Sequence, residues 1–205
     1  PPQDVENVHL YAARGEYESF QIAINAAQED ITIANVEISN LNGSGDRSIS
    51  RNDITLYREH YVNVTKPSPT WGGNQIKPLG KGWYPDGLIP FVNPQTGAEL
   101  VDAPLDAVPF QLKPGKNQPI WVDIYVPRNT PPGKYQGTYT VTSDLGERTG
   151  KIEFTVWDFE LPITPTINSY FNPWQDRGES LVEELLKHKV MPGKRIQPER
   201  QQELI

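Results

Sequence analysis

The chain has 205 residues, with 19 Lys and Arg against 26 Asp and Glu and a net charge of −7. That balance excludes a protein that tracks a phosphate backbone, which would carry a basic stripe. The absence of cysteine excludes disulfides, thiolate zinc sites and a cysteine nucleophile, and without a run of about eighteen apolar residues no membrane span is expected.

The start at Pro1-Pro2 fits a chain whose upstream leader has been removed. VHLYAAR (8–14) and YESFQIAIN (17–25) are strand-like runs split by Gly15. In the second, Phe20, Ile22 and Ile24 share one face, the period-two mark of a half-buried strand. ITIANVEIS (31–39) follows, then NGSGD (42–46), which reads as a plain turn: a calcium loop needs more carboxylates than Asp46 and Asp53 supply. DITLYREHYVNVT (53–65) is the next long strand. Lys66 to Asp106 then reads as one long loop, and loops of that length in compact domains are usually functional or packed against something.

The second half is more regular. NQPIWVDIYVP (117–127) sets Ile120, Val122, Ile124 and Val126 on one face, with Trp121 and Tyr125 opposite. KYQGTYTVTS (134–143) sets Tyr135, Tyr139 and Val141 against a polar face. KIEFTVWDFELP (151–162) alternates Ile152, Phe154 and Val156 with Glu153, Thr155 and Trp157. DLGER (144–148) joins the last two as a hairpin. Seven or eight antiparallel strands with Pro and Gly turns predict a mainly β fold, an antiparallel β-sandwich of immunoglobulin-like or jelly-roll-like type.

The domain plan is a sandwich over 1–160, a linker over 161–166 and a different unit from 167. In the linker LPITPT, two prolines restrict the chain and Thr164 is pushed to extended geometry. INSYF (167–171) is a short strand candidate. GESLVEELLKHKV (178–190) is a helix with Leu181, Val182, Leu185, Leu186 and Val190 on one face. Asp176 and Glu179 have capping-box spacing, and Glu183 can pair with Lys187 one turn on. Strand then helix is how a βα repeat opens. The helix either begins an α/β domain or docks on the sandwich, and the pattern alone weighs these evenly.

Six segments in order, AARGEYESFQI (12–22), LYREHYVNVTKPS (56–68), GWYPDGLIP (82–90), KNQPIWVDIYVP (116–127), PPGKYQGTYTV (131–141) and VWDFELP (156–162), resemble the β-sandwich that precedes a (β/α) barrel in glycoside hydrolase family 123 and related bacterial proteins. The resemblance spans roughly residues 8 to 192. It implies that 167–205 is the start of a truncated barrel, and that the parent hydrolyses glycosides. For family 123 that means terminal N-acetylgalactosamine, cleaved with an adjacent Asp-Glu pair in the barrel. It also implies a secreted or periplasmic setting. Gly87 departs from the pattern, which has a second proline there. No Asp directly followed by Glu exists in this chain, so no catalytic residue is carried over.

Asp158 and Glu160 share a strand face at the domain exit, but a glycosidase pair needs two carboxyls at a defined separation around a bond, and a solvated face is the expected role. His9, His60 and His188 are scattered, which predicts no metal site, and no cofactor is expected. The aromatics are the informative set: Trp71, Trp83 and Tyr84 in the long loop, Trp121 and Tyr125 on their strand. Such rings stack on sugars, and they also cover area at domain interfaces. The leading expectation is a non-catalytic sandwich that supports a barrel of the same polypeptide, with these rings packed on it and GKGWYPDGLIPF bracing the barrel or shaping its rim. The alternatives are a carbohydrate-binding module using Trp71, Trp83 and Trp121, and a structural domain without ligand. Neither nucleic acid nor membrane is an expected partner.

Overall fold

The computed structural model describes residues 7–66, 79–163, 169, 171 and 179–191. Within them lie β1 (Asn7–Arg14), β2 (Tyr17–Asn25), β3 (Ile31–Ile38), β4 (Leu41–Asn42), β5 (Ser48–Ile49), β6 (Ile54–Val64), β7 (Gly82–Pro90), β8 (Phe110–Leu112), β9 (Asn117–Tyr125), β10 (Gly133–Ser143), β11 (Gly146–Glu160) and the helix α1 (Glu179–Lys187).

The strands form two sheets. The larger runs β1-β11-β10-β3-β8, with β4 on β10 and β5 on β4; the smaller runs β2-β9-β6-β7. Their apolar faces make one core. Ile120, Val122 and Ile124 of the smaller sheet and Val126 just past β9 are wholly inaccessible, as are Ile33, Leu41 and Ile152 of the larger. Burying a side chain of this size contributes about 1.5–3 kcal/mol, so strict alternation along β9 and β11 locks both registers. A one-residue slip of either strand would turn its inward side chains to solvent. The mainly β sandwich read from the sequence is what forms.

Three details differ from the sequence reading. β1 pairs with β11 in parallel, Val8 opposite Ile152 and Leu10 opposite Phe154, where antiparallel pairing was expected throughout. The turn between β10 and β11 is tighter than 144–148: Ser143 already faces Gly146 across Asp144-Leu145. The span 66–106 is not one loop, because β7 crosses it and pairs with β6 from Tyr57↔Pro90 to Val64↔Gly82. Gly87 therefore lies in a strand opposite His60, beside a bulge at Asp86, rather than in a loop. β7 is an edge strand of its sheet, where proline is tolerated because one row of N–H groups has no ladder partner.

One glycine is dictated by packing. The Tyr139 ring lies over Gly150, its partner across the β10–β11 ladder, and a Cβ at Gly150 would collide with that ring. The aromatic fills the space that the missing side chain leaves in the sheet.

Candidate functional site

The outer face of the smaller sheet is not a plain solvated surface. Alternation puts Tyr17, Ser19 and Gln21 of β2, Thr55, Tyr57 and Glu59 of β6, and Trp121, Asp123 and Tyr125 of β9 on the side away from the core, in register with one another. The Ser19 hydroxyl and the Trp121 indole both donate to Oδ1 of Asp123, at 2.5 and 2.7 Å. Gln21 donates to Glu59 at 2.5 Å, and Glu59 is buried. Tyr17 and Tyr125 are in ring contact at 4.9 Å. The face is thus aromatic and internally hydrogen-bonded.

α1 lies over one end of it. The His188 ring stacks on Tyr17 with centroids 4.3 Å apart. Leu181, Glu184, Lys187 and His188 line a cleft of about 480 Å3 whose opposite wall is Tyr17, Thr55, Tyr57 and Asp123. Glu184 Oε1 is 3.4 Å from His188 Nε2, and Lys187 reaches Glu183 at 2.8 Å, the pairing expected from the sequence. The hydrogen bond from His188 holds the Glu184 carboxyl below its usual range. Burial pushes the Tyr57 phenol up to about 12, aided by the negative charges of Asp123 and Glu184. Tyr17 is pushed up further, by burial first and then by Glu184. The helix and sheet therefore share one electrostatic environment.

The helix ends in a Schellman arrangement. Val190 N–H donates to the Leu185 carbonyl and Lys189 N–H to that of Leu186, with Lys189 left-handed at φ 60°. Of the predicted apolar stripe, Leu186 is completely buried yet stands outside the sandwich core, and Leu181, Val182, Leu185 and Val190 are half-buried. From the predicted strand 167–171, Phe171 N–H donates to the Met191 carbonyl at 3.0 Å. Asp176 of the proposed capping box lies outside the described residues.

The five aromatics singled out from the sequence do not form one platform. Trp121 and Tyr125 belong to the face just described, half-buried. Trp83 and Tyr84 sit next to each other on β7, and Trp83 is 65 % exposed opposite Asn63. Trp71 lies outside the described residues. Asp158 and Glu160 serve different arginines: Asp158 is 3.9 Å from Arg14, and Glu160 bonds Arg128. Arg128 also donates to the Leu161 carbonyl at 2.9 Å, and Leu161 N–H to that of Arg14. Arg128 thus holds Glu160 and Leu161 together at the end of β11.

Sequence reasoning missed Tyr17, Tyr57, Asp123 and His188. The signal was present as polar and aromatic residues alternating with aliphatic ones, but only the register shows that they meet. It also missed a second aromatic group, Tyr11, Trp157 and Phe159, on the outer face of the larger sheet.

A two-sheet sandwich with a helix held against one outer face is the class of protein that this geometry defines. The chain belongs to the glycoside hydrolase 123 N-terminal domain family, whose model matches residues 1–143. Among solved structures it is similar to a family 123 glycoside hydrolase from Clostridium perfringens described for glycolipid glycan hydrolysis, at 20% identity and a TM-score of 0.57, over 88% of this chain and 29% of that one. The chain thus spans under a third of that enzyme's length. A looser likeness, to the CooA pilin subunit of enterotoxigenic Escherichia coli, has 12% identity over 77% of this chain and 91% of that one, at a TM-score of 0.31. No curated protein matches the chain.

Proposed function

We propose that this chain is a non-catalytic sandwich that seats a glycoside hydrolase barrel on the outer face of its smaller sheet, with α1 the first helix of that barrel. The observation that carries the reading is the joint itself: Tyr17 under His188, with Tyr57 and Asp123 facing Glu184 and Lys187. Membership of a family defined by its N-terminal position in these hydrolases supports it. In this reading β7 is the rim of the seat, where Trp83 and Leu88 are exposed, and the Arg14–Asp158 and Arg128–Glu160 pairs fix the angle at which the chain passes between the two domains.

Two measurements test it. The 205-residue chain is expected to turn over no aryl N-acetylhexosaminide, and turnover that is lost on mutating a residue within 1–160 would overturn the non-catalytic role. The reading frame beyond Ile205 is expected to encode the rest of an α/β barrel; a stop codon there would remove the seat.

A further inference from the structure

The larger sheet carries on its outer face what the smaller sheet does not: a row of large rings open to solvent. Tyr11 of β1 and Trp157 of β11 lie 6.4 Å apart with planes 25° from parallel, and Trp157 and Phe159 lie 5.5 Å apart at 18°. They are 53 %, 44 % and 48 % exposed. At these separations near-parallel rings are offset like steps and not stacked in full contact, so part of each face stays uncovered. On an alternating strand these positions should be polar. Three rings in a row there oppose the hydrophobic effect in the free chain.

The surroundings define the ligand. Beside Tyr11 is a shallow cleft of about 300 Å3 reached by His9, Lys134, Gln136, Glu153 and Thr155. His9 Nδ1 and Glu153 are 3.1 Å apart. The row is therefore apolar along one line and rich in donors and acceptors of both signs along its flank. A sugar chain has that same division, with C–H faces that pack on rings and hydroxyls that seek hydrogen bonds. A protein partner fits less well. The rings expose on the order of 300 Å2, patch-sized by the standards of monomer surfaces, whereas a stable interface buries about 800 Å2 on each partner. Among the described residues, the strand positions that continue the face, Thr138, Thr140 and Lys151, are polar. Nor does the joint with α1 cover it, since the two outer faces of a sandwich look in opposite directions.

We infer that Tyr11, Trp157 and Phe159, with His9, Gln136 and Glu153 beside them, form a binding site for a neutral oligosaccharide. The ligand class rests on the glycoside hydrolase reading above; the position does not, and it differs from the seat. The site would hold a glycan to the outer face of the larger sheet.

The test is a calorimetric titration of the 205-residue chain with N-acetylchitotetraose and with cellotetraose, followed in parallel by tryptophan fluorescence. Saturable binding to at least one is expected, weakened at least about tenfold in Trp157→Ala and in Phe159→Ala and unchanged in Leu145→Ala, an exposed apolar residue of the β10–β11 turn. Unaltered thermal midpoints confirm that the variants fold, and Tyr11→Phe, which keeps the ring, should retain binding. No saturable binding to either sugar, or equal binding by Trp157→Ala, overturns the site. Sedimentation showing a dimer that Trp157→Ala abolishes overturns it in favour of a second copy of the chain. Either failure leaves the seat untouched, because that reading is decided by the reading frame and the hydrolysis assay.

Discussion

Tyr57 shows what one side chain on the outer face of the smaller sheet contributes. It shares a cleft with the Asp123 carboxylate and the helix residue Glu184, and burial together with those charges raises its phenol from 10.0 to about 12. A group whose folded pKa is raised stabilises the fold fully below its unfolded value and ceases to do so as pH rises through the folded one. The affected window is therefore pH 10 to about 12. Tyr57→Phe keeps the ring and removes the titration. Its thermal midpoint should match the parent near neutral pH and fall less steeply across that alkaline window, read beside the tyrosinate absorbance. An identical alkaline slope in the variant would show that the phenol is not held by this environment. Tyr17 acts in the same direction, so a double Phe variant should flatten the fall further.

At the scale of elements, the end of α1 is the clearest place where local rule and structure conflict. Lys189 adopts the left-handed conformation that a Schellman end requires, which costs a residue with a Cβ about 1–2 kcal/mol. Burial also lowers its ammonium pKa, with the Arg128 charge adding to the effect. Lys189→Gly should therefore stabilise the helix, net of glycine's larger entropy loss, by about 0.5–1 kcal/mol. Amide exchange of Leu185 to His188 should slow by roughly two- to fivefold; faster exchange would mean that the lysine side chain holds the end. The helix itself was legible because its apolar stripe and its Glu183–Lys187 pair are local. β9, β10 and β11 were legible for the same reason. β7 was not, because Pro85, Gly87 and Pro90 look like loop chemistry, and only its place at a sheet edge makes them acceptable. The parallel β1–β11 pairing left no local trace, since its two strands stand at opposite ends of the sandwich sequence. The aromatic face of the smaller sheet was half visible: Trp121 and Tyr125 stood out, but their neighbours Tyr17 and Tyr57 emerge only when β2 and β6 flank β9. The row of Tyr11, Trp157 and Phe159 was hidden by the same missing pairing.

For the whole molecule, the question is how firmly α1 belongs to the sandwich. The sandwich core joins the inner faces of both sheets in one cluster. α1 is outside that cluster; its Leu181, Glu184 and Lys187 line a cleft with the smaller sheet, and His188, just past its end, stacks on Tyr17. Contacts between domains of one chain typically bury about 600–1,500 Å2, and a helix of nine residues covers only a small share of such an area. A helix this short is marginal by itself, so its protection depends on the joint. Local opening should then cost much less than global unfolding. In amide exchange on the dilute chain, residues 179–190 should exchange much faster than 118–125 and 151–157. Tyr17→Ala should speed the first segment further and leave the other two unchanged. Equal, core-like protection in all three segments would make α1 an integral part of the sandwich and remove it as the opening of a barrel.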